Sequence, residues 1–199
     1  MAFKFKQFEV KQEKSAMKIG TDAVILGAFT KTNTETFSIL DIGSGTGVIA
    51  LMLAQKSNAE VVDAIEIEEG AYEECVENFE NSPWGDRLFC YHASVQEFAS
   101  EIEDKYDLIV SNPPYVRNLE KKKMQNNVLN FEPELALFVE DDDPLVFYRA
   151  ILKFAHNTLV EKGKIYFEIN ECLYTEMKAL LISNGYVDIV LKKDFFWKI

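Results

Sequence analysis

The stretch SILDIGSGTG at residues 38–47 joins a short apolar run to a turn with three glycines at alternate positions. The run Ser38–Ile42 predicts a buried β-strand, and the almost continuous apolar residues of Val48–Gln55 predict a helix that packs on a sheet. A strand, a glycine-rich turn and a helix in this order indicate the first unit of an α/β fold. Open α/β sheets bind their ligands at the carboxyl end of such a strand.

The same alternation continues along the chain. Further strands are predicted at residues 61–67, 88–92, 106–110, 164–169 and 187–191, and further helices at residues 68–81, 145–159 and 171–183. Strands that alternate with helices of about ten to fifteen residues predict βαβ units. We therefore expect a doubly wound, mainly parallel α/β sheet with helices on both faces. The chain would form a single domain overall, with an arm and lid at residues 1–37 and the sheet domain at residues 38–199.

The spacing of the glycines narrows the class of ligand. Gly43, Gly45 and Gly47 form Gly-x-Gly-x-Gly, which differs from the Gly-x-Gly-x-x-Gly of nicotinamide binding and lacks the Gly-Lys-Ser/Thr of a P-loop. Glu66 ends the second strand, where an acid can accept hydrogen bonds from ribose hydroxyls. Together these features predict a nucleoside ligand. The alternative is a tight strand-to-helix turn followed by a solvated glutamate.

A second motif, Asn112-Pro113-Pro114-Tyr115, closes the fourth strand. Two consecutive prolines fix the backbone and remove two N–H donors, which leaves carbonyl acceptors at the strand tip. If the Asn112 side-chain carbonyl and the Pro113 carbonyl accept the N–H groups of a conjugated amine, its nitrogen can aim its lone pair at a sulfonium methyl group. Tyr115 would stack on the planar substrate. A plain turn that ends a strand is the structural alternative.

These motifs resemble motif I and motif IV of the class I S-adenosylmethionine-dependent methyltransferases. The second motif is similar to the form found in enzymes that methylate adenine N6, cytosine N4 or glutamine N5. The resemblance implies catalysis by Asn112, Pro113, Pro114 and Tyr115. It also implies a Rossmann-like sheet of seven strands, in which the last strand of this chain is either short or missing.

The resemblance further implies S-adenosyl-L-methionine as the cofactor. The implied contact residues come from the lid, the glycine turn and the strand tips: Thr21, Asp41, Gly43, Gly45, Gly47, Glu66, Ile67, Ser94, Val95 and Asn112. Met17 and Asp22 would join Thr21 in a lid over the cofactor. A capped helix that begins at Thr21 or Asp22 is the alternative interpretation of this segment.

Two families of such enzymes share the likeness. Residues 3–115 resemble the tRNA(Val) adenine-N6 methyltransferases, in stretches such as FKFKQFEV at residues 3–10 and NSPWGDRL at residues 81–88. Residues 116–195 resemble the release-factor glutamine-N5 methyltransferases, for instance in KIYFEINE at residues 164–171. We therefore expect methylation of a tRNA adenine. A release-factor glutamine is the alternative acceptor, and an inactive cofactor-binding scaffold is a third interpretation.

The distribution of charge bears on the choice of acceptor. The chain has 21 Lys and Arg against 33 Asp and Glu, a net charge of −12, which argues against an indiscriminate nucleic-acid binder. Two basic islands stand out, at residues 1–18 and 117–123. If both flank one site, the residues that would contact tRNA are Lys4, Lys6, Arg117, Lys121, Lys122 and Lys123. For the arm, the alternative is a short edge strand with inward-facing phenylalanines.

The cysteine and histidine content argues against a disulfide framework and a zinc site. The chain has three cysteines, far apart and without a CxxC pair, and two histidines, so no metal is expected. No apolar run approaches the roughly 18 residues that span a bilayer, and the N-terminus lacks an apolar signal core. We expect a monomeric cytoplasmic protein that makes no use of a membrane.

Overall fold

The computed structural model describes residues 2–123 and 138–193. Its strands and helices, in chain order, are β1 (Phe3–Lys4), β2 (Glu9–Val10), α1 (Thr21–Phe29), β3 (Ser38–Ile42), α2 (Val48–Lys56), β4 (Val61–Glu66), α3 (Glu69–Glu80), β5 (Leu88–His92), α4 (Val95–Glu101), β6 (Tyr106–Ser111), β7 (Val116–Arg117), β8 (Phe138–Val139), α5 (Val146–Thr158), β9 (Leu159–Phe167) and α6 (Tyr174–Ser183). Two 3-10 helices span Asn118–Lys123 and Glu171–Leu173. None of the described helices has the length and apolar character required to cross a membrane.

The chain divides into two compact units. The larger unit, Met1–Glu168, holds the sheet, and the smaller unit, Ile169–Ile199, holds the second 3-10 helix and α6. Within the smaller unit, Asn170 caps the 3-10 helix because its side-chain oxygen accepts the Cys172 N–H at 2.9 Å.

Five parallel strands form the central sheet, in the order β5-β4-β3-β6-β9. Every residue of β3 is buried, as expected for a parallel strand covered on both faces. The chain moves outward from β3 to β5 and then returns to place β6 on the other side of β3. A topological switch point therefore lies between β3 and β6. The predicted doubly wound α/β class is confirmed.

Helices cover both faces of this sheet. On one face, the buried cluster includes Leu26 of α1, Leu51 of α2 and Phe79 of α3. On the other, Phe98 of α4 and Phe154 of α5 are buried together, with ring centroids 6.1 Å apart. Burial of each such side chain stabilises the fold by about 1.5 to 3 kcal/mol, so these apolar faces hold the helices on the sheet.

Within the described residues the central sheet has five strands, which fits the expected truncated form of a seven-stranded sheet. The strand predicted at residues 187–191 is wrong, because no strand forms there within the described part of the chain. Val187 and Val190 are 81% and 71% exposed. Asp188 has a φ of 53°, in the left-handed region, which interrupts an extended strand.

One strand boundary and one helix also differ from the sequence predictions. β9 begins at Leu159, five residues before the predicted start at residue 164, and runs through Gly163. Its register with β6 shifts near Tyr106, and Lys162 has a φ of 66°. Helix α4 was not predicted, although Ser94 and Glu97 form a capping box that announces it.

The N-terminal arm begins as an antiparallel hairpin of β1 and β2. Phe8 is 8% exposed and stacks on Phe5 with ring centroids 4.4 Å apart. It also packs edge-on against Trp84, which follows α3, at 5.6 Å. The alternative interpretation of inward-facing phenylalanines is therefore right for Phe8, whereas Phe3 is 41% exposed.

Candidate active site

The glycine turn leaves β3 at its carboxyl end, beside the switch point. Gly43, Gly45 and Gly47 have φ values of 72°, 52° and 78°, a region that glycine adopts at no steric cost. A Cβ added to Gly43 or Gly45 would meet no atom within 4 Å, whereas one on Gly47 would lie 2.6 Å from the Phe79 ring. The first two glycines therefore leave open space above the backbone, and the third allows close packing against α3.

Hydrogen bonds to neighbouring elements fix the shape of this turn. The N–H groups of Gly43 and Ser44 donate to the Ile65 carbonyl of β4 at 2.9 and 3.1 Å. The Asn78 side chain of α3 donates to the Thr46 carbonyl at 2.9 Å. The turn is thus held in place from β4 and α3 at once.

Glu66 ends β4 and is 9% exposed. Its Oε2 accepts the Gly45 N–H at 2.7 Å, and its Oε1 accepts the N–H groups of Ile67 and Glu68, both at 2.9 Å. The acid and the glycine turn, singled out separately in the sequence, are therefore in direct contact. Ile67 is 68% exposed, so an apolar side chain stands next to this carboxylate.

Asp41 lies below the turn and is completely buried. Its Oδ2 accepts the Ala50 N–H at 3.1 Å, whereas its Oδ1 has no hydrogen-bond partner among the described residues. Burial, helped by the nearby charge of Glu66, raises the pKa of Asp41 to about 7. The orphaned oxygen, the open glycine backbone, the Glu66 carboxylate and the exposed Ile67 together fit a ligand with polar groups, a ribose and an apolar base.

The Asn-Pro-Pro-Tyr motif stands beside the glycine turn, because β6 pairs with β3. Ser111, the last residue of β6, is completely buried and donates its hydroxyl to the Ile42 carbonyl at 2.7 Å. Asn112 and Pro114 are half-buried and Pro113 is buried. The Ser111 hydroxyl therefore adds a side-chain hydrogen bond to the β3–β6 pairing, between the tip of β6 and the residue that precedes the glycine turn.

Tyr115 connects this motif to α1. Its hydroxyl donates to Asp22 Oδ2 at 3.4 Å. Burial, followed by the charges of Asp22 and Glu168, raises the pKa of Tyr115. The helix begins at Thr21, as the alternative interpretation expected, but its N-cap is Gly20 and no side chain caps it. The structure thus brings the lid segment to the motif.

Ser94 and Val95 follow β5, whose last residue His92 pairs with Glu66 of β4. Both are half-buried and lie at the same edge of the sheet as the glycine turn. The Ser94 hydroxyl donates to the Glu97 carboxylate at 2.7 Å, so it already takes part in the cap of α4.

The two basic islands lie in different places. Lys4 and Lys6 belong to the hairpin near the end of α3, whose 12 residues from Glu69 to Glu80 extend over about 18 Å. Three ion pairs join arm lysines to glutamates of the same chain: Lys4 to Glu9, Lys11 to Glu77 and Lys14 to Glu73. The arm therefore neutralises two glutamates of α3, and the expectation that both islands flank one site stays a prediction.

The second island follows Tyr115 directly. Arg117 pairs with Glu120, with Nε 3.1 Å from the carboxylate. The Lys121 ammonium lies 4.2 Å above the Phe138 ring. Lys122 and Lys123 complete the 3-10 helix, and their side chains lie outside the described residues.

The described residues contain no cluster of metal ligands. Across residues 2–123 and 138–193, no group of three His, Cys, Asp or Glu side chains could hold a metal ion. The three cysteines, Cys75, Cys90 and Cys172, are free thiols.

Sequence reasoning missed two buried polar side chains of α3. Glu74 is 1% exposed and accepts N–H groups from the backbone of Glu13, Lys14 and Ser15. Asn78 is 2% exposed and exchanges two hydrogen bonds with the Lys11 backbone, at 2.8 and 2.9 Å. Their spacing of four residues on one helix face, next to the apolar face of α3, is the signal that could have revealed them.

Comparison with known proteins links the chain to two groups of relatives. It is 55% identical over 153 residues to the tRNA1(Val) (adenine(37)-N6)-methyltransferase of Flavobacterium johnsoniae, an alignment that covers 75% of this chain and 65% of that protein. It is 40% identical over 177 residues to the release factor glutamine methyltransferase of Bacteroides thetaiotaomicron, covering 88% of this chain and 63% of that protein. The chain thus spans somewhat less than two thirds of either relative, and the two likenesses overlap over more than half of the chain.

A solved structure and a family model agree with the fold. The crystal structure of the SAM dependent methyltransferase from Agrobacterium tumefaciens superposes with a TM-score of 0.61 at 14% identity, covering 92% of this chain and 57% of that one. The model of the methyltransferase small domain family matches residues 14–132, more than half of the chain. The chain belongs to the methyltransferase small domain family.

Proposed function

We propose that this chain is an S-adenosylmethionine-dependent N-methyltransferase that methylates N6 of an adenine in the anticodon region of tRNA(Val). The observation that carries the proposal is the position of Asn112-Pro113-Pro114-Tyr115 at the tip of β6, beside the glycine turn at the tip of β3. A methyl donor bound at the tip of β3 would lie next to an amine bound at the tip of β6. The relative that is 55% identical, named as a tRNA adenine-N6 methyltransferase, supports this acceptor.

The cofactor supplies, when bound, an electrophilic methyl group on a sulfonium sulfur. Glu66 accepts a hydrogen bond from its ribose, because a carboxylate offers about four acceptor positions and three amides occupy all but one of them here. The open backbone of Gly43 and Gly45 receives its amino-acid part. The other proposed contacts are Thr21, Asp41, Gly47, Ile67, Ser94, Val95 and Asn112.

The acceptor amine is bound at the second motif. The Asn112 side-chain carbonyl and the Pro113 carbonyl accept its two N–H groups, while Pro114 fixes the turn and Tyr115 stacks on the base. This arrangement directs the nitrogen lone pair, otherwise delocalised into the ring, toward the methyl group. Methyl transfer would replace the S–C bond of the cofactor with the new N–C bond, and the surplus proton would pass to water. No general base is required, because the proton becomes acidic only as the methyl arrives.

A release-factor glutamine is the second candidate acceptor. The observation in its favour is the likeness to the release factor glutamine methyltransferase, which extends over 88% of this chain. A glutamine amide is also planar and conjugated, so the same pair of carbonyls would bind it. The two acceptors place different demands on the surface around the motif, since tRNA phosphates favour Lys and Arg.

The direct test is to incubate the protein with methyl-labelled S-adenosylmethionine, unmodified tRNA(Val) and a release factor in one mixture. The proposal expects label in tRNA, recovered as N6-methyladenosine and lost from the macromolecular fraction after ribonuclease treatment. Label only in the release factor would replace the first acceptor with the second. No label in either, from a folded protein, would favour the inactive scaffold.

A further inference from the structure

Glu74 occupies a position unlike that of the other glutamates of α3. Glu73 and Glu77 are exposed and pair with lysines, whereas Glu74 is 1% exposed. Its Oε1 accepts the Lys14 N–H at 3.0 Å and also the Glu13 N–H, and its Oε2 accepts the Ser15 N–H at 2.8 Å. Three successive backbone amides thus converge on one buried carboxylate. Hydrogen bonds to a charged acceptor are roughly twice as strong as neutral ones.

Residues 13–22, here called the strap, leave this carboxylate and lead to α1. Near its start, the Lys14 carbonyl approaches the first turn of α3, at 3.4 Å from a Cβ built on Gly70. Within the strap, the Lys18 ammonium donates to the Ser15 carbonyl at 3.0 Å. At its far end, Asp22 accepts the Tyr115 hydroxyl at 3.4 Å. The strap is therefore anchored at two separate points.

The sheet order shows what lies between these anchors. Glu74 belongs to the helix that follows β4, and Tyr115 follows β6, whereas β3 lies between β4 and β6. Neighbouring strands are about 4.8 Å apart, so β4 and β6 lie about 10 Å apart, with β3, the strand that carries the glycine turn, between them. A segment tied to Glu74 and to Tyr115 therefore spans the position of β3 in the sheet.

From this placement we infer that Glu74 is a positioning residue for the cofactor, which acts by holding the strap over the glycine turn. The inference rests on the proposed function. Burial alone would raise the pKa of Glu74, but the hydrogen bonds from Ser15, Lys14 and Glu13 outweigh it and hold the pKa below its usual value. Glu74 therefore keeps the charge that attracts the three amides.

The test compares Glu74→Gln with Glu77→Gln in the full chain. Both changes remove one charge from α3 and weaken its contact with the arm, but only the first alters the buried anchor that accepts three amides. We expect S-adenosylhomocysteine to bind Glu74→Gln about tenfold more weakly by calorimetry, the loss expected if the strap is in place only about a tenth of the time. Glu77→Gln should bind within about twofold of wild type, since exposed ion pairs contribute little.

Hydrogen exchange supplies the second readout. The amides of residues 13–15 should exchange at least about tenfold faster in Glu74→Gln, with the amides of β3 unchanged. If Glu74→Gln does not fold, Ser15→Pro removes one donor from the strap side and should show the same loss of affinity, with faster exchange at the amides of residues 13 and 14. A folded variant with wild-type affinity, or equal losses in both glutamine variants, would overturn the inference alone. A wild-type protein that binds no S-adenosylhomocysteine would refute the proposed function as well.

Discussion

The tips of β3 and β6 are neighbours in the sheet, yet they are held in different ways. The glycine turn after β3 donates N–H groups to the Ile65 carbonyl and the Glu66 carboxylate of β4 and accepts a hydrogen bond from Asn78 of α3, so its shape is fixed before any ligand arrives. The tip of β6 is tied by the Ser111 hydroxyl and stiffened by two prolines, and beyond it Tyr115 contacts α1. On the proposed function, cofactor binding rests mainly on the first tip and acceptor activation mainly on the second, so a substitution at one tip should impair one of them more than the other.

The largest effect is expected at the acceptor tip. Asn112→Ala should lower kcat at least about a hundredfold and leave the affinity for S-adenosylhomocysteine within a few-fold, because the side chain acts on the amine in the transition state. Asn118→Ala is the matched control and should retain activity. Asn118 begins the 3-10 helix that follows the motif, and its side-chain amide donates to the Glu140 carboxylate at 3.1 Å. Comparable losses of cofactor affinity and of folding stability in Asn112→Ala would instead indicate that the motif is only a structural turn.

Below the glycine turn, Asp41 should make stability depend on pH. Its pKa is raised from 3.8 to about 7, so between these values the folded state binds more protons than the unfolded state. The free energy of unfolding should therefore fall as pH rises from 4 through 7, by up to a few kcal/mol at about 1.4 kcal/mol per pKa unit. Asp41→Asn should remove this part of the slope, as measured by urea unfolding at several pH values. Parallel curves for the two proteins would contradict it.

Glu66→Ala addresses the cofactor tip by itself. Loss of charge-assisted hydrogen bonds should weaken S-adenosylhomocysteine binding by about 1 to 3 kcal/mol, with kcat at saturating cofactor changed much less. Glu69→Ala, which removes an exposed acid three residues further on, is the control for charge alone. If both variants bind like wild type, Glu66 serves only to hold the turn.

The smallest effects concern the two basic islands. If tRNA is the acceptor, replacing Lys121, Lys122 and Lys123 with Gln should reduce the log–log salt slope of tRNA binding by about 0.7 to 0.9 for each phosphate that is no longer neutralised. Replacing Lys4 and Lys6 should reduce it less, because Lys4 already pairs with Glu9. If neither set of lysine substitutions changes the salt slope, neither basic island contacts tRNA phosphates.

The sequence predicted the sheet and the two motifs because they depend on local patterns. Apolar runs define β3 and β6, and the glycine spacing requires the positive φ angles found at Gly43, Gly45 and Gly47. The strand expected at residues 187–191 failed because apolar composition cannot tell whether a partner strand is available. The residue Asp188, with its positive φ, gave no warning in the pattern.

Long-range pairings could not be predicted from the local density of charge. The lysines of the arm were interpreted as a surface for RNA, but Lys11 and Lys14 pair with Glu77 and Glu73, more than fifty residues away. Burial of Glu74 depends on the same folded arm, so the local density of charge could not predict it either. The sequence therefore shows where a chain is basic, whereas the fold decides whether that charge faces a ligand or its own chain.

The most direct test of the proposal that the cofactor binds at the tip of β3, beside the acceptor motif of β6, is a crystal structure of this protein with S-adenosylhomocysteine. The account predicts the ribose on the Glu66 carboxylate, the amino-acid part against Gly43 and Gly45, and the sulfur between the glycine turn and Asn112. A ligand bound away from the ends of β3 and β6, with the three amide contacts of Glu66 intact and no contact to that carboxylate, would contradict it.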